Sequence, residues 1–138
     1  MKVIIFTNEQ GGVSVCVPTD EANINLVLTK DCPAGAIIVE NSTLPTSYDN
    51  NIFFSAWELH GEEIIINIDK AKETTTSMVN SYAISESQKR LINNMSGIDN
   101  NPSDEVFKNI LATARSNISA ANSTDDLVAI LKSLNIIN

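Results

Sequence analysis

Ile64-Ile65-Ile66-Asn67-Ile68-Asp69-Lys70-Ala71-Lys72-Glu73 contains the change on which the fold turns. Up to Ile68 the run is apolar and β-branched, which is strand composition. At Asp69 a plausible N-cap appears, and Lys70-Ala71-Lys72-Glu73 is good helix sequence. The segments before this joint read mainly as strands, and those after it as helices. Strands and helices segregated along a chain argue for α+β. The expectation is a small N-terminal antiparallel β module over residues 1–68. A C-terminal helical hairpin and a short terminal helix follow over 69–138, as a second part or within one continuous domain.

Backwards from the joint, His60-Gly61-Glu62-Glu63 is a polar break between Ile64–Ile68 and the aromatic run Ile52-Phe53-Phe54-Ser55-Ala56-Trp57-Glu58-Leu59, so the two read as a hairpin about Gly61. The Ser-, Thr-, Pro- and Asn-rich stretch from 41 to 51 is a predicted loop, and Ala36 to Glu40 a predicted strand. Asp20 is placed to cap a short helix through Lys30, which Pro33 and Gly35 end. Lys2 to Thr7 is apolar throughout, as in a strand covered on both faces. Val13, Val15 and Val17 alternate with Ser14 and Cys16 in a period-two strand that Pro18 stops. Asn8-Glu9-Gln10-Gly11-Gly12 supplies the turn of this first hairpin.

Forwards, Ala71, Met78, Val79, Tyr82, Ala83, Leu91, Ile92 and Met95 keep a loose helical spacing to a stop at Gly97. Thr74-Thr75-Thr76 and Ser85 to Ser87 weaken its propensity, so this helix needs tertiary or partner support. Ser103 caps the clearest helix, with Asp104 and Glu105 at the positive end of its dipole. Phe107, Ile110, Leu111, Ala114, Ile118 and Ala121 form its stripe. Ser123 caps the last helix, which carries Leu127, Val128, Ile130, Leu131 and Leu134.

The 138 residues carry 17 acids against nine bases, a net charge of −8. Binding nucleic acid by counterion release requires clustered Lys and Arg, and Lys89-Arg90 is the densest basic pair, so neither nucleic acid nor an anionic membrane is an expected partner. No apolar stretch has the length of a membrane span or the form of a signal h-region, and a soluble, non-secreted chain is expected. Asn and Ile supply about a quarter of the residues, well above ordinary usage, as an AT-rich genome would produce. Cys16 and Cys32 form no CxxC pair and have no third ligand at metal spacing, so no metal is expected; whether they pair with each other stays open.

Catalytic patterns are weak. The only histidine, His60, sits in a turn with no GxSxG, P-loop or HExxH pattern. Glu62-Glu63 in a strand would point to opposite faces, and Asp125-Asp126 is explained by a helix dipole. Gly11-Gly12 lies in a hairpin, not between strand and helix, so a phosphate cradle is not expected. The chain reads as a non-enzyme that takes no cofactor and works by protein–protein binding; the imperfect helix over 70–95 is the candidate interaction element, the competing reading being that it packs on the sheet. The candidate partner-binding residues are Trp57, Met78, Val79, Tyr82, Leu91 and Ile92; for Trp57 the competing reading is a core side chain.

Lys2-Val3-Ile4-Ile5-Phe6-Thr7 with Gly12-Val13-Ser14-Val15 and Pro18, Lys30-Asp31-Cys32-Pro33-Ala34-Gly35, Leu44-Pro45 and Ala56-Trp57-Glu58 resemble a family of small tailed-bacteriophage proteins of poorly characterised role. Ile68-Asp69-Lys70-Ala71-Lys72 resembles its strand-to-helix joint, and Ala121-Asn122-Ser123-Thr124-Asp125-Asp126-Leu127 is similar to its closing helix. The family's arginine-rich long helix and Trp-Pro ending are not matched here. The layout is similar to tail-fibre assembly chaperones and small tail-associated proteins. What the resemblance implies is a tail or tail-fibre-associated protein, in the virion or in the host cytoplasm during assembly, whose partner is another phage structural protein or a further copy of itself. The alternative is a small phage-encoded intracellular regulator that binds a host protein.

Overall fold

The computed structural model describes residues 1–19, 23–45 and 51–138. Among them the chain forms β1 (Lys2–Thr7), β2 (Val13–Cys16), α1 (Ile24–Asp31), β3 (Ile37–Glu40), β4 (Trp57–His60), β5 (Glu63–Ile66), α2 (Ile68–Met95), α3 (Asp104–Ala120) and α4 (Thr124–Ser133). The fold is α+β, with a small antiparallel region first and helices after it. It divides into two compact units, Met1–Asn67 and Ile68–Asn138.

In the first unit β1 is the middle strand of an antiparallel sheet ordered β2-β1-β3, with Ile5 opposite Val15 on one side and Ile37 on the other. The continuous apolar run of β1 suits this central place, and Val3, Ile4 and Ile5 are all buried. Pleating sends Val3 and Ile5 to one face, where they pack with Val13, Leu44 and Trp57 and with Val15, Ile37, Val39, Leu59, Ile64 and Ile66. Ile4 takes the other face. The helix α1 packs on β1 and buries Ile24. Strand β2 stops at Cys16, one residue short of the alternating run, and Val17 is exposed. Asp20, the expected cap of α1, lies outside the described residues.

The β4–β5 hairpin pairs Trp57 with Ile66 and His60 with Glu63, and Gly61 turns it at φ +66°. Its first strand is shorter than the aromatic run suggests. Phe54–Ala56 is a 3-10 turn, and Phe53, Ala56 and Trp57 are all buried. The spacing 53, 56, 57 is that of a turn with one inward face, so the run plugs the core before becoming a strand.

In the second unit α2 starts at Ile68, so Asp69 is a first-turn acid and not the cap. Three contacts set α2 antiparallel to α3: Arg90 to Asp104, Arg115 to Asn80 and Lys72 to the Ser119 carbonyl. The helices α2, α3 and α4 all pack on one another. Buried positions are Ala71, Thr75, Val79 and Arg90 on α2, Phe107, Ala114 and Ile118 on α3, and Leu127, Val128, Ile130 and Leu131 on α4. The Thr75 hydroxyl donates to the Ala71 carbonyl at 2.8 Å, which satisfies a polar group in this core. Ser103 accepts from the Val106 N–H and Ser123 from the Asp126 N–H, as expected of caps. Asp126 in turn accepts from the Asn122 N–H at 3.0 Å.

Candidate binding groove

Residues Thr74, Ser77, Met78, Ser81, Tyr82, Ser85, Glu86 and Lys89 recur at three- and four-residue steps, so they share one face of α2. Opposite them stand Leu134, Asn135 and Ile136, which follow α4. Between the two lies an open groove of about 890 Å3. Met78 and Tyr82 are half-buried in it, and Leu134 and Ile136 provide an apolar wall. Serines and Thr74 supply hydroxyls along the α2 side. The charged groups at one end, Glu86 and Lys89, pair with each other at 3.3 Å.

The apolar wall depends on how α4 ends. Asn135 adopts φ 57°, its N–H donates to the Lys132 carbonyl at 3.0 Å, and the Ile136 N–H donates to the Leu131 carbonyl at 3.0 Å. These two bonds form a Schellman motif, and the left-handed residue at its centre turns the chain back on the helix. Asparagine tolerates that conformation better than other non-glycine residues. The turn seats Ile136 in the groove and buries Ile137. The same device ends α2: Gly97 has φ +70° and the Ile98 N–H donates to the Asn93 carbonyl at 2.8 Å.

Of the six predicted contact residues, the groove gathers Met78 and Tyr82. Trp57 and Val79 are corrections. Trp57 is 2% exposed, packed in the first unit's core and edge-on to Phe54 with ring centroids 4.8 Å apart. Val79 is 0% exposed. Neither presents surface to a partner; each fills the interior because its position falls on the inward side of its element. Leu91 is 60% exposed and edges a separate depression with Arg90, Asn94, Phe107 and Leu111, while Ile92 is 62% exposed and lines neither cavity. Of the groove-lining Leu134, Asn135 and Ile136, the sequence reading had only Leu134, as part of the last helix's apolar face, although an Asn just past the last apolar repeat of a helix is a recognisable stop signal.

Other chemistry-bearing groups lie outside the groove. The half-buried Glu58 accepts from Asn67 Nδ2 at 2.9 Å through Oε1 and contacts Nε2 of the exposed His60 at 3.3 Å through Oε2. Glu62 and Glu63 do not diverge as a strand would make them: Glu62 belongs to the turn, and both line a depression with Glu40, Thr43 and the edge of β3. All three carboxylates are exposed. The described residues include no group of three or more His, Cys, Asp and Glu side chains able to hold a metal ion, and no helix long and apolar enough to cross a membrane.

No protein-family model matches the chain, and no curated protein or solved structure shows significant similarity to it.

Proposed function

We propose that this chain works by binding another polypeptide, and that the groove between α2 and the residues after α4 receives an apolar segment of that partner. The observation that carries the reading is the make-up of the groove: apolar Met78, Tyr82, Leu134 and Ile136 for side chains, with a row of hydroxyls suited to a peptide backbone. Among the described residues its charged side chains are Glu86 and Lys89, which pair with each other at 3.3 Å. The resemblance to small tailed-bacteriophage proteins supports a tail or tail-fibre protein as the partner. On that reading the chain either stays in the virion or serves fibre assembly in the infected cell without being incorporated.

Co-expression with the neighbouring fibre protein and mass spectrometry of purified particles test both versions. A virion component is found in particles. An assembly factor is absent from them and co-purifies with free fibre protein. Ser81 is exposed in the groove, and Ser81→Arg would fill it without entering the core. The expected result is a more than ~10-fold loss of partner affinity, on the scale of one blocked hot-spot contact. Absence from both particles and fibre complexes, or unchanged binding by Ser81→Arg, would overturn the proposal.

A further inference from the structure

The outward side of α2 changes character along its length. Towards the N-terminus it carries the exposed Glu73, Ser77 and Ser81. From residue 84 on it carries Ile84, Gln88, Leu91, Ile92 and Met95, whose three- and four-residue steps keep them on one side of the helix. All five are exposed, the four apolar ones to between 60% and 81%. Thr75, Val79 and Arg90, which are buried, fall on the opposite side. The solvent side of a helix is ordinarily polar. A contiguous stripe of large apolar side chains there marks a surface for a partner.

A second copy of this chain fits the stripe. Ile84, Gln88, Leu91 and Met95 stand four, three and four residues apart, the alternation of a two-helix seam. That spacing is symmetric about the midpoint between Gln88 and Leu91. An antiparallel second copy of α2 therefore meets it in register, with 84 against 95 and 88 against 91, each contact made twice as two-fold pairing requires. The polar N-terminal halves then run clear of each other, whereas a parallel pair would set Glu73 against Glu73. Charge agrees with self-pairing. The net charge of −8 makes copies repel in general, yet the stripe holds no charged residue: Glu86 and Lys89 line the groove and Arg90 lies over Phe107. The four apolar residues expose roughly 500 Å2 per protomer, so a symmetric pair removes up to about 1,000 Å2 from water, the lower end of the range for a specific interface.

We propose that the chain forms a two-fold homodimer by antiparallel pairing of the C-terminal half of α2 with that of a second copy. Gln88 fixes the register, because a polar residue in an otherwise apolar seam disfavours slipped pairings. Met78 and Tyr82 of the groove lie outside the stripe, so this pairing is tested separately from binding in the groove.

The test is the mass of the full chain by size-exclusion chromatography with light scattering. At about 100 µM, a concentration suited to an interface of this size, the expected mass is twice the 15.0 kDa of one chain. Leu91→Glu and Met95→Glu change exposed residues, so each should keep the parent's far-UV circular dichroism and run as a 15.0 kDa monomer. The register is read by disulfide trapping in chains that also carry Cys16→Ser and Cys32→Ser. An equal mixture of the Ile84→Cys and Met95→Cys chains should cross-link as the mixed pair, and neither should cross-link to itself. A parent that stays monomeric, a dimer that survives both glutamate substitutions, or linkage of 84 to 84 would each overturn the proposal.

Discussion

The guanidinium of Arg90 lies over the ring of Phe107, with Cζ 4.3 Å from the ring centroid. The same side chain donates from Nη1 to the Pro102 carbonyl at 2.6 Å and to Asp104 Oδ1 at 3.1 Å, and the residue is 8% exposed. One arginine thus joins the last turns of α2 to the linker and to the first turns of α3. Removing it takes this donor from the Pro102 carbonyl, leaves Asp104 Oδ1 with Asn100 Nδ2 alone, and strips one face of an aromatic ring. Arg90→Ala should cost about 2–4 kcal/mol in urea unfolding. Arg90→Lys should recover only part of that, because an ammonium cannot make the two planar contacts together. In a double-mutant cycle with Phe107→Leu the coupling energy should be about 1 kcal/mol.

Trp57 gives a prediction that separates a core residue from a binding anchor. It is enclosed with Val3, Ile5, Val13 and Leu44. Trp57→Ala should lower stability by about 3–5 kcal/mol through lost burial and the cavity left behind, as read by thermal or urea unfolding. Any loss of partner binding should follow the unfolded fraction. Trp57→Phe keeps most of the apolar volume and removes an indole N–H that has no hydrogen-bond partner among the described residues. Its cost should be well below that of the alanine variant.

The Cys32 thiol carries a pH dependence whose sign is fixed. Partial burial, the neighbouring Cys16 thiol and the Asp31 carboxylate all raise its pKa above the ordinary thiol value. The folded chain therefore holds this proton more tightly than the unfolded chain. The corresponding share of stability is fully present below the unfolded thiol pKa and is lost as pH rises through the folded one. Alkylation follows the thiolate, so at pH 8 iodoacetamide should modify Cys32 more slowly in the native chain than in urea. Asp31→Asn removes one cause and should speed the native reaction, as should Cys16→Ser. A native rate equal to the unfolded rate would contradict this environment for the thiol.

How far the sequence could be read depended on whether the signal was local. Ser103, Ser123 and Gly97 act within one turn of their own positions, and all three are used as their residue types imply. The central place of β1 followed from an unbroken apolar run. The inward turn at 53–57 did not, because an apolar run of that length fits a strand and a core plug equally well. The sharing of α2 between buried and open faces was also hidden: Val79 and Met78 are adjacent and both apolar, and only the packing of α3 and α4 decides which one faces the groove. Asn100 shows the cost of a biased composition. Its amide donates to Asn94 at 3.0 Å and Asp104 at 3.2 Å and accepts from Asn93 at 2.9 Å, ordering the linker after α2. Among so many asparagines nothing in the sequence set it apart.

Asn135 yields the sharpest test of the groove, because it shapes the wall without being one of its apolar side chains. Its left-handed φ of 57° holds both bonds of the motif that turns Ile136 back toward α2. Asn135→Gly should keep the turn, with stability within about 1 kcal/mol of the parent, since glycine adopts that conformation freely. Asn135→Val should strain it, at a cost of about 1–2 kcal/mol, because a β-branched residue is poorly accommodated at positive φ. If the groove binds a polypeptide, the valine variant should also lose affinity at temperatures where it remains folded, and the glycine variant should not. Equal affinities for the two, measured by calorimetry on folded samples, would mean that Ile136 is not part of the binding surface.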